Sequence, residues 1–214
     1  MKNRIFTAAL LLASVSNVLA ASSVDLSVTG AITPSACTPA LSGGGVVDHG
    51  KISFSDLNPV PSRDTALPVA SLALSVNCTA ATLFAIKSSD NRAGTSAEPG
   101  AGLSSFGLGL VNGDKKVGWY TLKTSSSLAD GVSQPVIESA DGKVWFNAPE
   151  DTQIWQPDWM RAFNAGTGTH PAPLPVQAMT SDLLIQTTIL RKDQLPTGQE
   201  LQLDGSATLD VVYL

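Results

Sequence analysis

The sequence predicts an all-β domain of the sandwich class, and three observations predict it. Charged residues make up only 14% of the chain against 43% hydrophobic; Gly, Ser, Thr, Ala and Val are plentiful, and the helix formers Glu, Lys and Arg are few. Apolar residues recur with period two in several short runs, the spacing of half-buried strands. Those runs are separated by Gly, Pro, Asn and Asp clusters that reverse the chain. Many short strands divided by turns indicate two packed sheets.

The elements follow in chain order. Lys2 and Arg4 precede an apolar run from Ile5 to Ala13, and Val18-Leu19-Ala20 carries the small residues that a signal peptidase reads. Residues 1–20 are therefore expected to be a signal peptide, too short in its apolar part to span a bilayer. The exported remainder has the length of one domain. In the next run, Val24, Leu26, Val28, Gly30 and Ile32 share one face and Pro34 ends the segment. Gly43-Gly44-Gly45 leads to a short strand candidate at Val46-Val47. Leu72, Leu74 and Val76 alternate up to Cys78, and Leu83 to Ile86 reads as the following strand. Residues 90–104 read as a loop. Phe106 to Leu110 and Val117 to Leu122 form a hairpin about Asn112-Gly113, and a second pair is expected on either side of Asp141-Gly142. From Ala148 to Gln177 the alternation fails; this reads as an irregular insertion with a short helical turn near Asp158 to Phe163. Leu183 to Leu190 and Ala207 to Tyr213 are strands.

Chemistry-bearing residues are few. Cys37 and Cys78 are the two cysteines. Both lie in the exported part, where oxidation is available, and no nearby His or C-x-x-C spacing supports a metal or redox reading, so a single disulfide is expected. The formal net charge of -5, without a basic patch, makes nucleic acid and anionic membrane poor partners. His49 stands beside Asp48, but no G-x-S-x-G elbow accompanies them. The acidic residues Asp48, Asp56, Asp90, Asp114, Asp151 and Asp158 are scattered and form no calcium loop. No catalytic residue, metal or cofactor is expected, and the chain is read as a non-enzyme.

Two segments call for a partner. The run from Val24 to Ile32 is cleanly amphipathic, and Gly30 stands on its apolar face, where a close approach by another backbone would need it. The plain alternative is that it forms the first strand of the chain's own sheet. At the other end, Ala207, Leu209, Val211 and Tyr213 alternate with Thr208 and Asp210 in a strand whose edge invites pairing.

The run Leu26-Ser-Val28-Thr-Gly30-Ala-Ile32 leading to Cys37, together with Leu209-Asp-Val211-Val-Tyr213-Leu214, resembles the two ends of chaperone–usher pilins. The stretches 43–50, 90–93 and 106–109 look like the fimbrial-like DUF1120 subgroup. One departure is Leu201, where pilins often carry a Gly fourteen residues from the end; Gly198 or Gly205 is the substitute. The resemblance implies an incomplete immunoglobulin-like sandwich over 34–214, preceded by a donor-strand extension over 21–33. It implies an acceptor groove beside the last strand, formed at Ala207, Leu209, Val211 and Tyr213, and a donor strand made of Val24, Leu26, Val28, Gly30 and Ile32. It also implies a periplasmic chaperone, an outer-membrane usher and neighbouring subunits as partners, and a path through the periplasm to a surface fibre used in adhesion. A second reading uses Trp145, Trp155 and Trp159 in the insertion as a glycan-binding surface of a minor or tip-proximal subunit; the structural alternative places them in a small core under a loop.

Overall fold

The structure, a computed structural model, describes residues 26–29, 36–99, 104–166 and 170–214. The expected signal peptide and the arm residues Val24, Gly30 and Ile32 lie outside these. The chain divides into two units, 1–33 and 34–214. Of the first, only 26–29 is described: it carries no strand, and Leu26 and Val28 are exposed.

The second unit is a β-sandwich. Its strands are β1 (Cys37–Leu41), β2 (Thr65–Ala66), β3 (Ala70–Thr82), β4 (Phe84–Asp90), β5 (Phe106–Gly107), β6 (Leu110–Val111), β7 (Lys115–Lys116), β8 (Gly118–Ala129), β9 (Val132–Ser133), β10 (Val136–Ser139), β11 (Phe146–Asn147), β12 (Met160–Phe163), β13 (Val176–Ile189) and β14 (Ala207–Tyr213). The first sheet runs β1-β3-β13-β8-β5, with β2 added to β13 and β9 to β8. The second sheet runs β11-β10-β12-β4-β14. All the pairings are antiparallel.

Local chemistry accounts for the breaks. Pro68 separates β2 from β3 because it has no N–H for the ladder with β13. Asp130 and Gly131 both take positive φ and join β8 to β9 through a two-residue turn of the kind that suits the twist of a hairpin. Gly43, Gly44 and Gly45 all have positive φ, so the chain curls into a 3-10 turn (Ser42–Gly45) and leaves β1. The strand expected at Val46-Val47 is not formed, because this turn carries the segment away from the ladder.

Alternation along β13 places Leu183, Ile185, Thr187 and Ile189 inside the sandwich, against Leu74 and Val76 of β3 and Phe84 and Ile86 of β4. A smaller cluster on the outer face of the second sheet joins Ala85, Ile137, Met160 and Ala162 under Trp145. The disulfide joins Cys37 to Cys78, which stand opposite each other across β1 and β3.

The region 148–177 requires correction. It is no insertion outside the sandwich: β12 lies in the middle of the second sheet, between β10 and β4. Nor is 158–163 a helical turn, since Asp158 takes positive φ and the chain enters β12 at Met160. All four β12 residues are buried, Phe163 toward the main core and Met160 and Ala162 toward the outer cluster. A strand covered on both faces does not alternate, and a charged residue, Arg161, sits within it.

Candidate functional site: a cleft between two edge strands

The two sheets do not close on each other along one side. There β1 ends the first sheet and β14 ends the second, and among the described residues neither has a strand on its outer side. The edges meet at one end, where the Cys37 backbone N–H donates to the Tyr213 hydroxyl at 3.0 Å. Away from that point they part around a cleft of about 260 Å³.

The first sheet supplies the floor. Leu72 of β3, Leu183 and Ile185 of β13, and Tyr120 and Leu122 of β8 turn their side chains into it. One bank is Leu41 of β1 with Gly45, Val47 and His49 from the segment that follows; the other is Leu203, Gly205, Ala207 and Leu209. Tyr120 and Ser206 add hydroxyls to the lining, and His49 Nε2 and Thr187 Oγ1 are hydrogen-bonded to each other at 2.9 Å. Burial raises the Tyr120 phenol above its ordinary value, with the Asp90 carboxylate adding to the effect. It stays neutral, as an apolar floor requires.

The last strand behaves as its alternation predicts over most of its length. Ala207, Leu209 and Val211 pack toward the core and Thr208 and Asp210 are exposed. Tyr213 departs from the set: it is 54% exposed, because its hydroxyl reaches across to β1. Gly205, one of the two glycines considered for the position before the strand, lines the cleft. A Cβ there would stand 2.9 Å from the Tyr120 ring and 3.0 Å from Leu108.

The tryptophans do not form a surface. Trp155 is fully buried in the main core, its indole N–H donating to the Trp159 carbonyl at 2.9 Å. Trp145 is 9% exposed beneath the outer face of the second sheet, and Trp159 is partly buried against the main core. Trp155 instead sits beside a buried ion pair. Arg161 bonds to Glu138 at 3.3 Å, to the Thr124 hydroxyl at 2.8 Å and to the Gln153 carbonyl at 2.9 Å. Its guanidinium lies 5.3 Å from the Trp155 ring centre. Burial lowers the Arg161 pKa and raises that of Glu138, and in both the mutual attraction only partly opposes it. Among the described residues, the partner of the His49 ring is the Thr187 hydroxyl. Among the described residues no group of three or more His, Cys, Asp or Glu side chains could hold a metal ion.

Of the residues expected to form a groove beside the last strand, Ala207 and Leu209 line this cleft, whereas Val211 and Tyr213 are not part of its lining. The floor strands were recognisable as strands, but nothing local shows which of their inward residues stay uncovered. His49 and Thr187 are 138 residues apart, and no spacing signal joins them.

Residues 26–105 match the family described as "Protein of unknown function (DUF1120)". Of the three stretches on which the DUF1120-type resemblance rests, 43–50 and 90–93 fall inside that match and 106–109 lies beyond it. The chain is similar to Protein GltF of Escherichia coli (strain K12), 27% identical over 226 residues that cover 89% of this chain and 88% of that protein. It is also similar to Uncharacterized protein YhcF of the same organism, 25% identical over 222 residues covering 90% of each. No solved structure matches.

Proposed function

We propose that this DUF1120-type chain is a structural subunit of a chaperone–usher fibre, built by strand exchange, and that the cleft beside β14 is its acceptor site. The observation that supports this reading is a sheet edge that no described strand covers, set beside an apolar floor. A bare edge offers unpaired backbone groups, and a bare floor offers aliphatic side chains; an alternating strand from another chain satisfies both at once.

The run 24–32 has the length and pattern of such a strand. At roughly 3.3 Å per residue it reaches about 30 Å when extended, against about 23 Å for the seven residues of β14. Burying Val24, Leu26, Val28 and Ile32 would contribute a gross 6–12 kcal/mol, at roughly 1.5–3 kcal/mol each. Ordering the arm offsets part of that. Donor and acceptor surfaces differ, so the joints run head to tail and the assembly is open. In this proposal a periplasmic chaperone covers the cleft first, an outer-membrane usher delivers the subunit, and the fibre stands on the cell surface. The glycan-binding alternative loses its support from the tryptophans, since Trp155 and Trp145 are buried.

The test is co-purification from periplasm followed by deletion. The full chain should leave the periplasm in a one-to-one complex with a chaperone. A chain lacking residues 22–32 should keep that complex and fail to join the next subunit. Polymerisation of the shortened chain, or a full chain recovered only as a free monomer, would refute the proposal.

A further inference from the structure

The loop after β4 carries a polar cluster beside the cleft. Arg92 holds Asp204 in a two-pronged bond, Nη2 to Oδ1 at 2.8 Å and Nε to Oδ2 at 3.0 Å, and Nε also reaches the Asp204 carbonyl at 3.1 Å. The Asn91 side-chain amide donates to Ser206 Oγ and Thr208 Oγ1, both at 3.0 Å, and its backbone N–H donates to the Ser206 carbonyl at 3.0 Å. Asp90 fixes the loop from below, accepting the Arg92 N–H at 2.8 Å and the Gly107 N–H at 2.9 Å.

The partners of this loop are residues 204, 206 and 208, while the bank of the cleft is built from 203, 205, 207 and 209, with Ser206 also reaching its lining. Apart from Ser206, the two sets alternate along the segment that leads into β14 and along its first residues. A slip of one residue would turn every side chain of this segment to the opposite face. Leu203, Ala207 and Leu209 would leave the cleft, and Asp204 and Thr208 would enter it.

We infer that Asn91 and Arg92 are positioning residues that clamp the leading end of β14 in the one register that presents an apolar bank to an incoming strand. The inference rests on the acceptor reading of the cleft and adds what keeps that site preformed. The clamp is a surface device: the Arg92 and Asp204 side chains are 37% and 61% exposed, so its removal costs little global stability. Its effect falls on binding, where a preformed site spares the ordering cost.

The test measures binding of a fluorescein-labelled synthetic peptide of residues 22–33 to the full oxidised chain by anisotropy. Arg92→Ala should weaken binding roughly two- to thirtyfold, the range for residues that act on a site without touching its ligand, with an almost unchanged urea midpoint. Exchanging the charges, Arg92→Asp with Asp204→Arg, should restore much of the loss, which a purely structural lesion would not. Should Arg92→Ala lower the midpoint, Asn91→Ala, which removes only the bonds to Ser206 and Thr208, decides the matter. Equal peptide affinity in Asn91→Ala, Arg92→Ala and the unaltered chain overturns the clamp while leaving the cleft as a binding site. Absence of binding to the unaltered chain sinks the acceptor reading, and the clamp with it.

Discussion

Replacing Glu138 by Leu should destabilise the domain by about 3–5 kcal/mol, because it strands the Arg161 guanidinium as an unpaired charge in the interior. The magnitude follows from the site. The Arg161 and Glu138 side chains are only 2% and 4% exposed, so water cannot replace the missing partner, and Arg161 Nε already lacks a hydrogen-bond partner. Arg161→Met should cost a similar amount by leaving the carboxylate alone. The double variant should behave otherwise. Burial drives both groups toward their neutral forms more strongly than their attraction holds them charged, so the pair is no net source of stability. Two apolar side chains of similar volume should restore a stability close to that of the unaltered domain. Urea unfolding followed by tryptophan fluorescence is the assay, since Trp155 stands against the guanidinium. A cycle of the four proteins should give a coupling of several kcal/mol, well above the few tenths found for independent sites. A double variant no more stable than the weaker single one would refute the reasoning. The sign of the pH effect also follows: the raised Glu138 value makes its contribution greatest below the unfolded carboxylate value, and that contribution fades as pH rises through the folded one.

Three further outcomes are expected. Cys78→Ser with Cys37→Ser opens a loop of 41 residues' separation and should lower stability by roughly 4 kcal/mol in the chain-entropy account, read as a fall in thermal midpoint. Trp155→Ala should cost about 3–5 kcal/mol, measured by guanidinium unfolding, since the side chain is wholly enclosed. The Asp141 carboxylate accepts the Val144 and Lys143 amides, which hold its pKa below the usual value. Its stabilisation is present above the unfolded value and is lost as pH falls through the lowered one; side-chain NMR titration should show that low value, and an ordinary value would refute it.

The sequence was most legible where one face of a strand is wet. The bounds of β14 follow from its alternation, and the turns at Asn112-Gly113 and Asp141-Gly142 follow from residues that tolerate positive φ. Legibility failed at β12, where burial on both sides removed the alternation and Arg161 disguised a central strand. For the tryptophans the core alternative, not the surface one, matches the structure: the Trp155 backbone N–H donates to the Leu122 carbonyl of β8 at 2.7 Å, and its side chain is buried. The stretch at 90–92 was readable as a motif, but its partners, 112 to 117 residues away, were not. Residues that meet only through the fold leave no trace in local spacing.

The position of the disulfide ties one bank of the cleft to the redox state of two thiols. Among the described residues, Cys37 begins the edge strand of the first sheet, and Cys78 fastens it to β3. With the thiols reduced, ladder bonds alone hold that strand, so the side of the opening that includes Leu41 is less firmly fixed. On the acceptor reading proposed above, oxidation of Cys37 and Cys78 comes before competence to take up a strand, and reduction of the bridge is the way to withhold it.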